Sequence, residues 1–167
     1  MQTIFEEIER ALAGGIHYAA ISLALSIPDV CASLQHPVGH VKGSNKAGYM
    51  KWFIANLGPD YPEITGNDIY ALRSGVVHNG RFGAGKSFSR IVFIIRVHPE
   101  RPLLHRCTSR DVYQLDSETF CRNMIDAAKR WLSNNSNDAN VRRNLDRVVM
   151  LRPTGLVPHF VGMPLIA

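Results

Sequence analysis

Cysteine is scarce in this chain: Cys31, Cys107 and Cys121 are the only thiols in 167 residues. Odd in number and widely spaced, they offer no close pair for zinc or for redox exchange, and a reducing compartment suits them. Long apolar runs are also missing, since none nears the roughly 20 residues that a membrane-spanning helix needs. The opening Met1-Gln2-Thr3-Ile4-Phe5-Glu6-Glu7 is acidic and amphipathic, unlike a signal peptide. A soluble, cytoplasmic protein with no membrane association is therefore expected. No internal repeat is present and no spacer is long enough to separate two cores, so a single domain over 1–167 is expected.

Charge is unevenly placed. Residues 1–80 carry 5 Lys/Arg against 7 Asp/Glu, whereas 81–167 carry 14 against 7. Most of these basic residues are arginine, which keeps its proton at any cellular pH and can grip a phosphate bidentately. The bias suits a polyanionic partner, although a solvated basic face would have the same composition.

Apolar residues then recur at helical spacing. Ile4, Phe5, Ile8 and Leu12 mark a first helix ended by Gly14-Gly15. Ile16, Ala20, Leu23, Ile27, Cys31 and Leu34 mark a second, which Pro28 should kink near Asp29. A loop rich in Gly, His and Lys precedes a third helix through Ala47, Met50, Phe53, Ile54 and Leu57, closed by Gly58-Pro59. Thr65 with Asp68 resembles a capping box and opens a fourth, buried through Ile69, Leu72 and Val76 and stopped at Asn79-Gly80. Ser117-Glu118 begins a last strong helix with Phe120, Met124, Ala128 and Trp131 or Leu132 inward.

Between the fourth and last helices lies a glycine-rich loop, 81–89, and then the β-branched and aromatic run 91–95, which reads as a buried strand. His98-Pro99-Glu100-Arg101-Pro102 is a turn, so 103–107 is expected to return as the antiparallel partner in a hairpin over about 87–107. Residues 134–140 read as a polar linker, 148–151 as a short helix or strand, and the Pro- and Gly-punctuated tail ending at 164–167 is apolar without a clear period. The expected fold class is mainly α, a bundle of four to five helices with an added β-hairpin.

Chemistry concentrates at the end of the fourth helix, in Tyr70-Ala71-Leu72-Arg73-Ser74-Gly75-Val76-Val77-His78-Asn79-Gly80. An arginine followed by a polar residue, then a histidine after four intervening positions near a helix end, resembles the signature of the HEPN superfamily. The likeness covers this motif and the helices before it, roughly residues 1–80. It implies a HEPN-like helical bundle, with the helical core over about 1–80 and 117–133 and the hairpin and tail outside the likeness. It also implies a homodimer whose site lies near the two-fold axis, and a metal-independent endoribonuclease that uses no cofactor. Many relatives are toxins or defence effectors, so an antitoxin protein is a candidate partner beside RNA. The alternative is a non-catalytic HEPN module that binds RNA, a nucleotide or a protein.

The residues themselves fit that chemistry. Cleaving RNA without a metal needs a group that moves a proton near neutral pH, which His78 can supply. It also needs a fixed cation for the charge gathering on the phosphoryl oxygens, which Arg73 can supply. Through the adjacent 2′-oxygen, the likeness implies 2′,3′-cyclic phosphate and 5′-hydroxyl products. Ser74, Asn79 and Tyr70 are candidate RNA contacts. On an ideal helix, Arg73 and His78 stand about 140° apart and about 7.5 Å apart along the axis. Convergence therefore needs the arginine to reach toward the helix C-terminus, the histidine to swing as the helix unwinds, or a two-fold partner to complete the site. A purely structural pair, an arginine bound to an acid and a histidine favouring a helix C-terminus, has the same sequence.

Gly80-Arg81-Phe82-Gly83-Ala84-Gly85-Lys86-Ser87 also satisfies the P-loop pattern, but a helix precedes it and a strand follows, the reverse of the order a P-loop needs. A milder role is expected, with Arg81 and Lys86 touching RNA phosphates beside the cleft. His36 and His40 have the spacing of metal ligands, yet Pro37 and Gly39 break any helix and no acid or cysteine completes a set, so no metal site is expected. Asp29 beside Pro28 reads as an exposed or capping carboxylate, with a partner within the bundle as the alternative, and Trp52 and Trp131 read as core anchors.

Overall fold

The computed structural model describes residues 1–37, 46–82, 86–98, 100 and 102–167. It is mainly helical, with six helices among these residues. Helix α1 (Gln2–Ala13) buries Phe5, Ile8 and Leu12, and a turn at Gly14-Gly15 leads into α2 (His17–Leu34). Helix α2 runs unbroken through Pro28 and is the centre of the bundle, packed against α1, α3 (Lys46–Leu57), α4 (Gly66–Asn79), α5 (Ser117–Asn134) and α6 (Ala139–Leu145). By length and composition it is the one helix among the described residues apolar enough to cross a membrane, and half of it is buried inside the bundle. Trp52 of α3 and Trp131 of α5 are both buried and meet edge to face at 6.4 Å.

The ends of α4 are fixed by its own sequence. The Thr65 hydroxyl oxygen accepts from the Asp68 backbone N–H, and the Asp68 carboxylate accepts from the Thr65 N–H, so the capping box forms with aspartate in place of glutamate. At the other end Gly80 takes the left-handed conformation at φ 61°, where a side chain would be strained, and its N–H bonds back to Gly75.

The hairpin expected over 87–107 is corrected by the strand pairing. Strand β1 (Arg90–Ile94) pairs in parallel with β3 (Val112–Asp116), which the sequence reading did not anticipate. The antiparallel partner of β3 is β2 (Cys107–Ser109), so the hairpin turns at Arg110-Asp111 and β3 lies between the other two. The cause is burial. Tyr113 and Leu115 alternate toward the core beside Ile91, whereas Leu103 and Leu104 stay exposed and offer no alternating face. Strand β3 also runs directly into α5, whose first turn Asp116 caps by accepting from the Thr119 N–H. Beyond α6, which begins inside the stretch read as a linker, the tail forms two short antiparallel ladders. These join β4 (Leu151–Arg152) to β7 (Leu165–Ile166) and β5 (Gly155–Leu156) to β6 (Phe160–Val161).

Candidate functional site

Arg73 and His78 meet within one chain. A terminal nitrogen of the Arg73 guanidinium donates to His78 Nε2 at 2.6 Å. The arginine reaches along the helix, and of the three routes to convergence this one is observed without any change in α4. A guanidinium can only donate, so in this contact His78 Nε2 is the acceptor.

The guanidinium is anchored from the other side. Its Nε–H donates to Asp29 Oδ2 at 2.7 Å, and its second terminal nitrogen lies 2.7 Å from the same oxygen. Both side chains are 18% exposed, which makes this a sheltered ion pair joining α2 to α4. Asp29 is the one carboxylate in a largely apolar helix, and such a group requires a partner. Among the described residues three of the five guanidinium N–H groups are engaged, leaving one on each terminal nitrogen for an incoming oxyanion.

Aromatic groups close the inner wall. Tyr49 is fully buried and donates to the Leu25 carbonyl at 3.1 Å. Burial first, and then the nearby Asp29 carboxylate, push its phenol far above the ordinary range, with Arg73 opposing in part, so it stays neutral. Tyr70 packs edge-on against Tyr49 at 5.6 Å, and Lys46 Nζ lies 5.6 Å from the Tyr70 ring centre. Tyr70, Arg73 and Ser74 are three and four positions apart and share one face of α4. Lys46 thus adds a cation that the sequence reading missed.

The other sequence candidates are more scattered. Asn79 is exposed at the last position of α4, and Arg81 is exposed just past Gly80. Lys86 is not brought to the pair. Its neighbour Ser87 donates its backbone N–H and its hydroxyl to the Asp68 carboxylate at 3.1 and 2.6 Å, in the first turn of α4. That turn is roughly 15 Å along the helix from His78. The segment 80–87 follows a helix and precedes β1, and its residues 83–85 lie outside the described residues, as does His40 of the His36/His40 spacing. Among the described residues no three His, Cys, Asp or Glu side chains gather as a metal would need.

Three arginines of the basic second half make local pairs. Arg106 lies near Glu63, Arg122 near Glu118 and Glu9, and Arg130 near Asp60. Arg81 has no ion pair among the described residues. Compared with protein-family models, with curated proteins and with solved structures, the chain finds no match.

Proposed function

We propose that this chain is a metal-independent endoribonuclease of the HEPN type, with Arg73 and His78 as its reacting pair. The observation that carries the reading is the Asp29, Arg73 and His78 array, in which a fixed cation and an imidazole touch each other at the protein surface. A phosphate oxygen that takes the Arg73 N–H now bonded to His78 would release His78 Nε2, which can then accept the 2′-hydroxyl proton. The 2′-oxygen attacks phosphorus, the bond to the 5′-oxygen breaks, and a proton must reach that leaving oxygen. The products are a 2′,3′-cyclic phosphate and a 5′-hydroxyl, and DNA, lacking the nucleophile, is inert.

Two protons move in this reaction, while among the described residues one chain brings one histidine to the arginine. A homodimer with the two pairs across a two-fold axis would supply a second imidazole, which supports the dimeric reading that goes with the resemblance. A cytoplasmic toxin or defence effector, held in check by an antitoxin, goes with it as well. One feature favours the second reading, a non-catalytic HEPN module: Asp29 already neutralises the guanidinium and so weakens its pull on a phosphate. Labelled RNA incubated with purified protein in EDTA separates the two. The nuclease reading expects cleavage that Arg73→Ala and His78→Ala each abolish. Cleavage that survives both substitutions removes the site assignment, and absence of cleavage by the unaltered protein favours the binding module.

A further inference from the structure

Near the reacting pair the chain presents aromatic surface that the proposed chemistry does not use. Tyr18, in the first turn of α2, is 50% exposed, and Phe82, just beyond α4, is 39% exposed. Their ring centres are 6.5 Å apart with the planes at 78°, forming a right-angled corner. Both rings are held in place. The Tyr18 hydroxyl donates to the Val76 carbonyl at 2.8 Å, one of the last carbonyls of α4, where intrahelical partners run out. Phe82 rests on Phe93 at 5.6 Å, and Phe93 on the buried Phe120 at 5.1 Å.

The polar atom of this corner is therefore consumed inward, while ring surface remains outward. A ring placed only to fill the core would be covered on all sides, as Phe120 is. The corner is tied to the helix end that carries His78, and four residues of chain keep the Phe82 backbone within roughly 14 Å of the His78 backbone. Exposed Arg81, without an ion pair among the described residues, lies between them in sequence. Aromatic faces interleaved with cations are what a single nucleic-acid strand binds, since every base has a π-face and every link a phosphate.

We infer that Tyr18 and Phe82 form a base-binding subsite in which one unpaired nucleobase of the RNA stacks, with Arg81 on an adjoining phosphate. This rests on the ribonuclease reading and narrows its substrate to single-stranded RNA, because an A-form duplex keeps its bases stacked within itself.

The test is fluorescence anisotropy with a short oligoribonucleotide carrying 2′-O-methyl riboses throughout, which binds without being cut. One lost base stack, worth about 1–3 kcal/mol, corresponds to a dissociation constant about five- to 150-fold weaker. That loss is expected for Phe82→Leu and for Tyr18→Leu on the single strand, with weak duplex binding alike in all variants. Tyr18→Phe keeps the ring and should bind close to the unaltered chain. Replacing the nucleotides one at a time by abasic residues should reveal one sensitive position, whose loss Phe82→Leu does not deepen. That scan uses the unaltered protein and so does not depend on how the variants fold. If RNA binds but no abasic position matters, or folded leucine variants bind at full strength, the subsite is wrong and the nuclease reading stands. If the unaltered chain binds neither form of RNA, both fall.

Discussion

Arg73 and Asp29, 44 positions apart in sequence, share one carboxylate oxygen at 2.7 Å from two guanidinium nitrogens, so the arginine that touches His78 is held by a different helix from its own. Asp29 is thus a positioning residue, acting on the imidazole through the guanidinium.

If that is so, Asp29→Ala should lower kcat for RNA cleavage by about 10- to 100-fold, the scale of a small misplacement at a reacting centre, with KM little altered. Asp29→Asn keeps an acceptor oxygen and should retain more activity than the alanine variant. Loss of a charged hydrogen-bond partner should also cost about 1–3 kcal/mol of stability. A fall in yield or stability with kcat unchanged would mean that the pair is only a strut.

Asp68 ties the segment after Gly80 back to the start of α4. Burial pushes its carboxyl pKa up, but hydrogen bonds from Ser87 and Thr65 outweigh that, and the net shift is below 3.8. A carboxylate with a folded pKa below its unfolded one stabilises fully above the unfolded value and loses that contribution as pH falls toward the folded one. Denaturant unfolding followed from about pH 5 down to about pH 2 should show this loss, and Asp68→Asn should remove it. Asp68→Ala, which strands the Ser87 and Thr65 N–H groups, should cost about 1–3 kcal/mol near neutral pH.

His105 titrates in the opposite chemical sense but leaves the same signature. Its Nδ1 accepts from the Asp116 backbone N–H at 3.1 Å, and Nε2 lies 3.4 Å from the Tyr61 hydroxyl. Burial lowers its pKa below 6.5, with Asp116 opposing and Arg106 assisting. The unfolded chain therefore binds a proton before the folded chain does, so this contribution is complete above about pH 6.5 and lost as pH falls below it. His105→Leu should flatten that part of the stability profile, and an unchanged slope would show that other groups cause it.

Thiol labelling should be selective. Burial pushes the thiols of Cys31 and Cys121 up to about 12, whereas Cys107 is half-exposed on β2. In native protein at neutral pH, a maleimide counted by mass spectrometry should add once, at Cys107, and three times after denaturation.

The helices were legible because their signals are local. Ile4, Phe5, Ile8 and Leu12 repeat at helical spacing, Gly14-Gly15 and Asn79-Gly80 stop the pattern, and Thr65 with Asp68 announces a start. Arg73 and His78 were legible as a pair for the same reason, five residues on one helix. Strand β3 was not, because Val112–Asp116 is short and its pairing with β1 is non-local, decided by which residues can cover Ile91. The Asp29 contact spans two helices, and no spacing rule reaches across them. A single acid in an apolar helix was the one available sign. Tyr18 and Phe82 gave no signal either, since an aromatic residue at a helix start and another in a glycine-rich loop become a corner only once α2 and α4 are packed.

The placement of Asp29, Arg73 and His78 on α2 and α4 has a consequence for biosynthesis. All three groups precede residue 79, yet α2 is covered by α5, which is complete only at Asn134. A nascent chain halted before α5 would carry every reacting atom and lack the scaffold that orients them, so competence should arrive late in translation. Circular dichroism of a fragment ending at residue 80 should accordingly show a largely unfolded chain, whatever chemistry its sequence spells out.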